Sequence, residues 1–494
     1  MSKSYTKKRI TIDKFLPKID KNSNEFDMQI SSPKNCYNIK VEEGVLLSGS
    51  GFEKLTLPDT KEENSTTKQF NPIDGVTFKK IWRYKYYSDI NKDYEYILIM
   101  LGSNNQIYYI DMFGYGPYII PVQQIQFNSI PTALNFRVNG KDVMGFCSPD
   151  DNFTVWYCDD EPYTLEDIPK FSSICLHNER LFAIDSTKNY LVRYSSNLNP
   201  LNWKTSVAST SGGIIEVNDY KGMLKNLVSF LDNVFVFRDF GVSKISGYGA
   251  NNMFSAVNIY NSSSKVYCNT ACICGNNIFF LQEDGLYKLD GYNVTKVDDS
   301  FTKMFEGRSQ ENANTCFYNG KLYIACNLNF NDEVSNKEDT TAIKNNALIE
   351  FDVSTNSYSI LRGVDILCML GVKDLTVNKL IVCVNGENGC HLWQKTEDGL
   401  YNNVSLPKNW TSGKINFGLS DKNKILKEVN LICKYPCALK ISTDICAKEY
   451  LIPANENFQR VRINLKGKYF SFAFNSADKD FYISNPQFVF NVEN

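Results

Sequence analysis

Two histidines occur in 494 residues, His177 and His391, more than two hundred positions apart. The pattern around His177 places it in a turn ahead of Arg180–Ile184, and His391, between Cys390 and Leu392, falls within a strand. Both read as packing residues, because a Ser-His-Asp triad or a histidine-rich metal centre would need partners that the chain does not offer. Adjacent carboxylates occur at Asp150/Asp151, Asp159/Asp160/Glu161 and Asp298/Asp299. Glycosidases use such pairs for general acid and base work. The phosphate-binding pattern Gly-x-x-x-x-Gly-Lys-Ser/Thr is missing. These residues predict no catalytic site and no cofactor.

Fifteen cysteines are an odd number, and no Cys-x-x-Cys occurs. The tightest groups are Cys268/Cys272/Cys274 and Cys433/Cys437, which lack zinc-ligand partners nearby. They read as buried, reduced thiols acting as small apolar residues, as expected for assembly in a reducing cytoplasm. Formal charge is −2, from 53 Lys+Arg against 55 Asp+Glu, without the basic surplus of a dedicated nucleic-acid binder. The first twenty-one residues are the exception, carrying Lys3, Lys7, Lys8, Arg9, Lys14, Lys18 and Lys21 against Asp13 and Asp20. This run reads as a solvated arm, with Lys7, Lys8 and Arg9 as candidate partner contacts. No apolar run approaches the ~18–20 residues of a membrane helix, and the N-terminus lacks the apolar core of a signal peptide.

The elements that would position these residues are short strands. Leu227–Leu231 and Val234–Arg238 flank a turn at Asp232-Asn233, and Asp239–Gly241 turns again into Val242–Ser246. Asn, Asp and Gly tolerate the backbone angles that such tight turns require. Seven units of this kind recur at spacings of roughly 35–60 residues, while helical periodicity is nearly absent. The recurrence predicts an all-β chain, a β-propeller of six or seven blades over residues 59–405. Residues 1–58 read as an N-terminal arm and hairpin turning at Glu43-Gly44. Residues 406–494 read as a C-terminal β-sandwich, with strands expected at Lys414–Leu419, Lys427–Cys433, Ala438–Thr443, Arg460–Leu465, Tyr469–Asn475 and Gln487–Val492. Residues 59–72 and 329–346 read as exposed loops. Trp82, Tyr84 and Tyr86 fall on one face of a strand, fit for a blade seam or a subunit contact, the seam being favoured.

Glycan-cleaving propellers of the sialidase type carry a Ser-x-Asp-x-Gly-x-x-Trp turn. Gln282-Glu283-Asp284-Gly285 and Thr396-Glu397-Asp398-Gly399 come near it, but Gly follows Asp directly and no Trp follows. Both are better explained as β-turns.

The segment from Asn38 through Gly44 to Gly51 has the order "Asn, short spacer, Gly, apolar run, second Gly". In Asn199-Pro200-Leu201-Asn202-Trp203 an Asn-Pro-x-x-Trp turn precedes a glycine-bearing stretch and the apolar pattern of Leu227–Phe237. Together they resemble the β-propeller tail proteins of short-tailed bacteriophages, the tail nozzle proteins (tail tubular protein B) and packaged-DNA stabilisation proteins. The specific motifs cover about forty residues. The arginine usual before the second Gly is replaced by Ser48 and Ser50, a departure from the pattern. The resemblance implies a virion structural protein assembled in the host cytoplasm, forming a homo-oligomeric ring, six subunits expected, around the tail channel. Its partners would be copies of itself, other tail or connector proteins, and genomic DNA passing without sequence-specific binding. The competing expectations are a carbohydrate-binding or glycan-cleaving propeller and a protein-interaction scaffold.

Overall fold

In the computed structural model, residues 5–58, 67–69, 75–111, 120–157, 161–218, 221–248, 253–300, 302–331, 343–373, 378–386 and 389–493 are described. Seven antiparallel sheets follow one another along the chain, over residues 78–126, 132–165, 171–216, 224–261, 266–296, 314–362 and 366–396. They are the blades, numbered 1 to 7, of a seven-bladed β-propeller. Each of the first six is a four-stranded meander in chain order.

The tight turns have the chemistry their geometry demands. Asn139-Gly140 and Asn319-Gly320, between the first two strands of blades 2 and 6, have positive φ at both residues, and Asn178 turns blade 3 in the same region. Asn and Gly enter this left-handed region at low cost, and such turns match the twist of adjacent strands. Among the described residues there is no α-helix, the 3-10 turn Thr302–Met304 being a short helical element, and no helix is long and apolar enough to cross a membrane.

Alternating apolar side chains fill the seams between blades. Trp82 meets Phe146 with ring centroids 6.2 Å apart, and Tyr84 meets Trp156 at 6.3 Å. The Tyr84 hydroxyl donates to the Asp142 carbonyl at 2.8 Å. The aromatic strand of blade 1 therefore packs against blade 2; Tyr84 is fully buried and out of a partner's reach.

Polar side chains on the innermost strands bond each blade to the next. Asn135 Oδ1 accepts from the Lys85 amide between blades 1 and 2, and Thr132 donates to the Ser172 carbonyl between blades 2 and 3. Ser173 donates to Asn226, which donates in turn to the Cys268 carbonyl, linking blades 3, 4 and 5. Thr315 donates to the Thr270 carbonyl between blades 5 and 6, and Asn314 accepts from the Met369 amide between blades 6 and 7. The Cys368 thiol reaches the Phe78 carbonyl and completes the circuit. Inner-strand amides on the channel side have no further strand to pair with, so these bonds satisfy groups that would otherwise face only water.

Blade 7 obtains its fourth strand from the other end of the chain. Gly51–Lys54 pairs antiparallel with Trp393–Thr396, and Phe52 also pairs with Tyr401 on its far side. The division expected at residue 58 therefore does not follow the sheets, and neither does the expected free arm. Strands Tyr5–Thr11, Ile39–Glu42 and Val45–Ser48 lie in one sheet of the C-terminal sandwich with Lys424–Cys433, Asn455–Gly467 and Tyr482–Glu493. Pro33–Tyr37 joins the other sheet, with Lys408–Ser412, Cys437–Thr443, Ala447–Ile452 and Phe470–Ser476. The expected hairpin at Glu43-Gly44 is present. The strand expected at Lys414–Leu419 is not: Phe417 and Gly418 take positive φ and the segment turns.

The physical reason for the arm's docking lies in three side chains set among the lysines. Ile12, Phe15 and Ile19 are each 2 % exposed, and Phe15 stands edge-on to Trp410 at 5.0 Å. The same apolar cluster runs on into Phe279, Ile324 and Phe351 of blades 5 and 6, so sandwich and propeller share a core. Charge in the first twenty residues masks these anchors. Phe15→Ala is expected to cost about 3–5 kcal/mol. Deleting residues 1–30 is expected to lower the melting transition of the whole chain, as read by calorimetry. An unchanged transition in the deletion would show that the docked segment contributes nothing to the fold.

Candidate functional site

Several of the groups that could do chemistry are engaged in structure. His177 ends the inner strand of blade 3, rather than sitting in a turn, and its Nδ1 lies 2.9 Å from Ser229 Oγ on blade 4. Burial lowers its pKa, against the attraction of Asp232. Burial and the Lys54 charge likewise lower that of His391. Asp151 accepts from the Asn128 amide, and Asp298 pairs with Lys18 at 3.0 Å; Asp159 and Asp160 lie outside the described residues. Asp398 accepts from Thr396 and the Leu400 amide beside Gly399, at positive φ, so this Asp-Gly is a turn. Among the described residues thirteen cysteines are free thiols. Burial pushes Cys36 and Cys147 up to about 12, far from the thiolate form that reacts. Among the described residues, no group of three or more His, Cys, Asp or Glu is placed to hold a metal ion.

Asn38, Gly44 and Gly51 converge on the joint between ring and sandwich. Asn38 is buried at φ 58°. Its side chain donates to the carbonyls of Arg362 at 3.1 Å and Pro407 at 2.7 Å, and accepts from the Arg362 amide at 2.7 Å. One amide thus ties the N-terminal segment to the last strand of blade 6 and to the start of the sandwich. Gly44, at φ 84°, passes so close to Lys14 that a Cβ there would overlap the lysine side chain. A Cβ at Gly51 would collide with the Leu400 backbone, which the closing strand must approach to pair on both sides.

A chain of alternating charges crosses the same joint. Lys321 and Lys395 lie 3.7 and 3.8 Å from the buried Glu350; Glu397 pairs with Lys395 and, at 3.5 Å, with Lys40, which also holds Glu42 at 3.0 Å. Burial alone would raise the Glu397 carboxyl, but Lys395, with Lys40 and Lys321, holds it below the usual carboxylate range.

The second motif sits elsewhere, beneath a loop running from Ser195 to Gly212. Trp203 is 7 % exposed in the seam of blades 2 and 3, its ring 4.5 Å from Phe171, while Asn199 closes the turn by accepting from the Asn202 amide at 3.1 Å. Pro200 is buried within it. Below the loop the buried Arg180 guanidinium donates to the carbonyls of Ser195 (2.7 Å), Ser211 (2.8 Å) and Ser209 (3.1 Å). Arg180 was not singled out by its sequence context, because its contacts belong to residues 15 to 31 positions away.

A rigid frame thus holds apolar side chains in water. Leu198 is 76 % exposed at φ 54°, and Val207 is fully exposed. A left-handed leucine costs about 1–3 kcal/mol. Tyr248 and Met253, exposed beside blade 4, continue the surface, with Tyr248 and Asn197 lining one small cavity. Lys7, Lys8 and Arg9 point into solvent from the sandwich-edge strand that pairs with Gln487–Glu493, on another part of the molecule.

No family model matches the chain, and no curated protein matches it. Among solved structures it is similar to a catalytically inactive variant of virginiamycin B lyase from Staphylococcus aureus with quinupristin. The identity is 9 %, the alignment covers 70 % of this chain and 99 % of that one, and the TM-score is 0.41. It is similar also to BBS1N in complex with ARL6DN, at 9 % identity, 70 % and 98 % coverage and a TM-score of 0.43. Hsv2 of Kluyveromyces lactis is similar at 7 % identity, 54 % and 82 % coverage and a TM-score of 0.33.

Two predictions follow from the joint. Asn38→Asp removes two donated hydrogen bonds and buries an unpaired charge, and is expected to cost about 3–5 kcal/mol in a denaturant melt. A loss under 1 kcal/mol would contradict the clamp. Because the Glu397 carboxyl is held low in the fold, its contribution is fully present above the usual carboxylate pKa of about 4.3. It is lost as pH falls through the lowered value. Glu397→Gln is therefore expected to lower the melting temperature at pH 7 and to converge with the parent in acid. Parallel melting curves across pH would refute this.

Proposed function

We propose that the chain is a structural subunit of a bacteriophage tail, building a ring with copies of itself around the DNA channel. In this reading it acts mechanically rather than catalytically, retaining the genome and passing it at ejection, with neighbouring tail or connector proteins docked to the ring. The observation that carries the reading is the exposed apolar loop around Leu198 and Val207. Apolar groups displayed on a frame clamped from below suit a surface that another protein covers. A second copy is the occupant that suits a ring. The Asn199-Pro200-x-x-Trp203 resemblance supports the assignment, since that motif is the part that anchors the loop. The joint at Asn38 and Gly51 suits the same role, because it ties ring and sandwich into one body through which force can pass.

The test is the mass of the purified protein in solution over a concentration series, with negative-stain images of the same peak. The parent chain is expected to form a closed ring of several subunits. Leu198→Asp combined with Val207→Asp is expected to weaken self-association at least tenfold with the melting temperature unchanged. Parent and variant behaving as the same monomer throughout would reject the self-assembling ring.

A further inference from the structure

The axial channel opens, where the innermost strands begin, into a cavity of about 400 Å³. Its walls come from the inner strands of blades 1, 5, 6 and 7, with Ile130 from the approach to blade 2. Three lysines line it: Lys79 and Lys80 on blade 1, and Lys344 ahead of the third strand of blade 6. The carboxylate in the lining, Glu311, is already paired with Lys265. Lys79 donates to a neutral acceptor, Asn105 Oδ1, at 2.9 Å.

Lys80 is the informative residue. It is half-buried, and among the described residues it has no carboxylate or hydrogen-bond partner. The ionisable groups that act on it are the thiols of Cys147 and Cys368, and burial pushes its pKa down. A cation withdrawn from water without a counter-charge is strongly unfavourable. The cavity beside it has room for a small anion, within the size range of small-molecule sites.

We propose that this cavity binds a small, multiply charged phosphate compound, held by Lys80 together with Lys79 and Lys344. Ammonium groups act as point charges and meet a tetrahedral phosphate from any direction, whereas planar carboxylates are matched by the arginine fork. The lining offers three of the first kind, and Arg is absent from it. Trp82 in the same wall supplies an optical reporter.

The experiment titrates the full chain with sodium tripolyphosphate at constant ionic strength, by calorimetry and tryptophan fluorescence. One saturable site per chain is expected, with the fluorescence change lost in Trp82→Phe. Lys80→Gln is expected to weaken binding at least tenfold, and citrate to bind at least tenfold more weakly than tripolyphosphate. The absence of saturable binding, an unchanged affinity in Lys80→Gln, or citrate binding as tightly would each overturn the proposal. Should Lys80→Gln fail to fold, the Lys79→Gln/Lys344→Gln pair takes its place, and parent-like affinity in that pair overturns it. These outcomes do not depend on ring assembly, so the site and the tail role stand or fall separately.

Discussion

A ring of sheets must be closed, and here closure depends on one short strand, Gly51–Lys54, arriving from the far end of the chain. Six blades complete themselves from contiguous sequence, but the seventh has three local strands and an open edge until this segment pairs. An open edge of unpaired amides and carbonyls invites the wrong partner. The closing strand is covered in turn by Tyr401, whose ring stacks on Trp393 at 4.8 Å. Everything N-terminal to the closure must therefore reach the same side of the ring, and the sandwich is what receives it. Asn38 sits where these requirements meet, which is why a single amide there bonds blade 6, the sandwich and the entering segment at once.

Closure also brings distant residues into one environment. Lys80 and Lys344 are separated by more than 260 positions yet face the same axial cavity, because blades 1 and 6 lie on either side of blade 7. The inner strands are pinned in register by side chains such as Asn226 and Asn314, so the channel wall is a fixed surface. A half-buried lysine with no counter-charge among the described residues is then a property of the ring as a whole. No single blade creates it.

The blades were legible in sequence because their determinants are local: the turn at Asp232-Asn233 and the short apolar runs on either side of it are complete within a few residues. The closing strand was not, since its partner lies more than 330 residues away and pairing by backbone leaves no trace in side-chain type. The arm was misjudged for a different reason. Ile12, Phe15 and Ile19 carry the burial energy, but seven cations surround them, and long charged side chains can stay in water while the backbone docks. Of the candidate site residues, Asn38, Gly51 and Trp203 were singled out through the resemblance that their motifs carry. Arg180 and Lys80 were invisible, because what distinguishes each is the carbonyls or the empty volume that folding places beside it.

The loop above Trp203 shows how the stability of the frame is spent on display. Leu198 in a left-handed conformation is unfavourable locally, and its exposure gives back none of the free energy that burial would provide. Such a state persists only where the surroundings over-determine it. Arg180, bonded to three carbonyls, and Trp203, wedged against Phe171, do so from beneath. At Leu198 strain and exposure therefore coincide, and a covering partner would recover what the isolated chain forgoes. In the proposed ring, folding and assembly would pull in the same direction: the frame that holds Leu198 in its strained conformation would also lower the entropy cost of joining a neighbour.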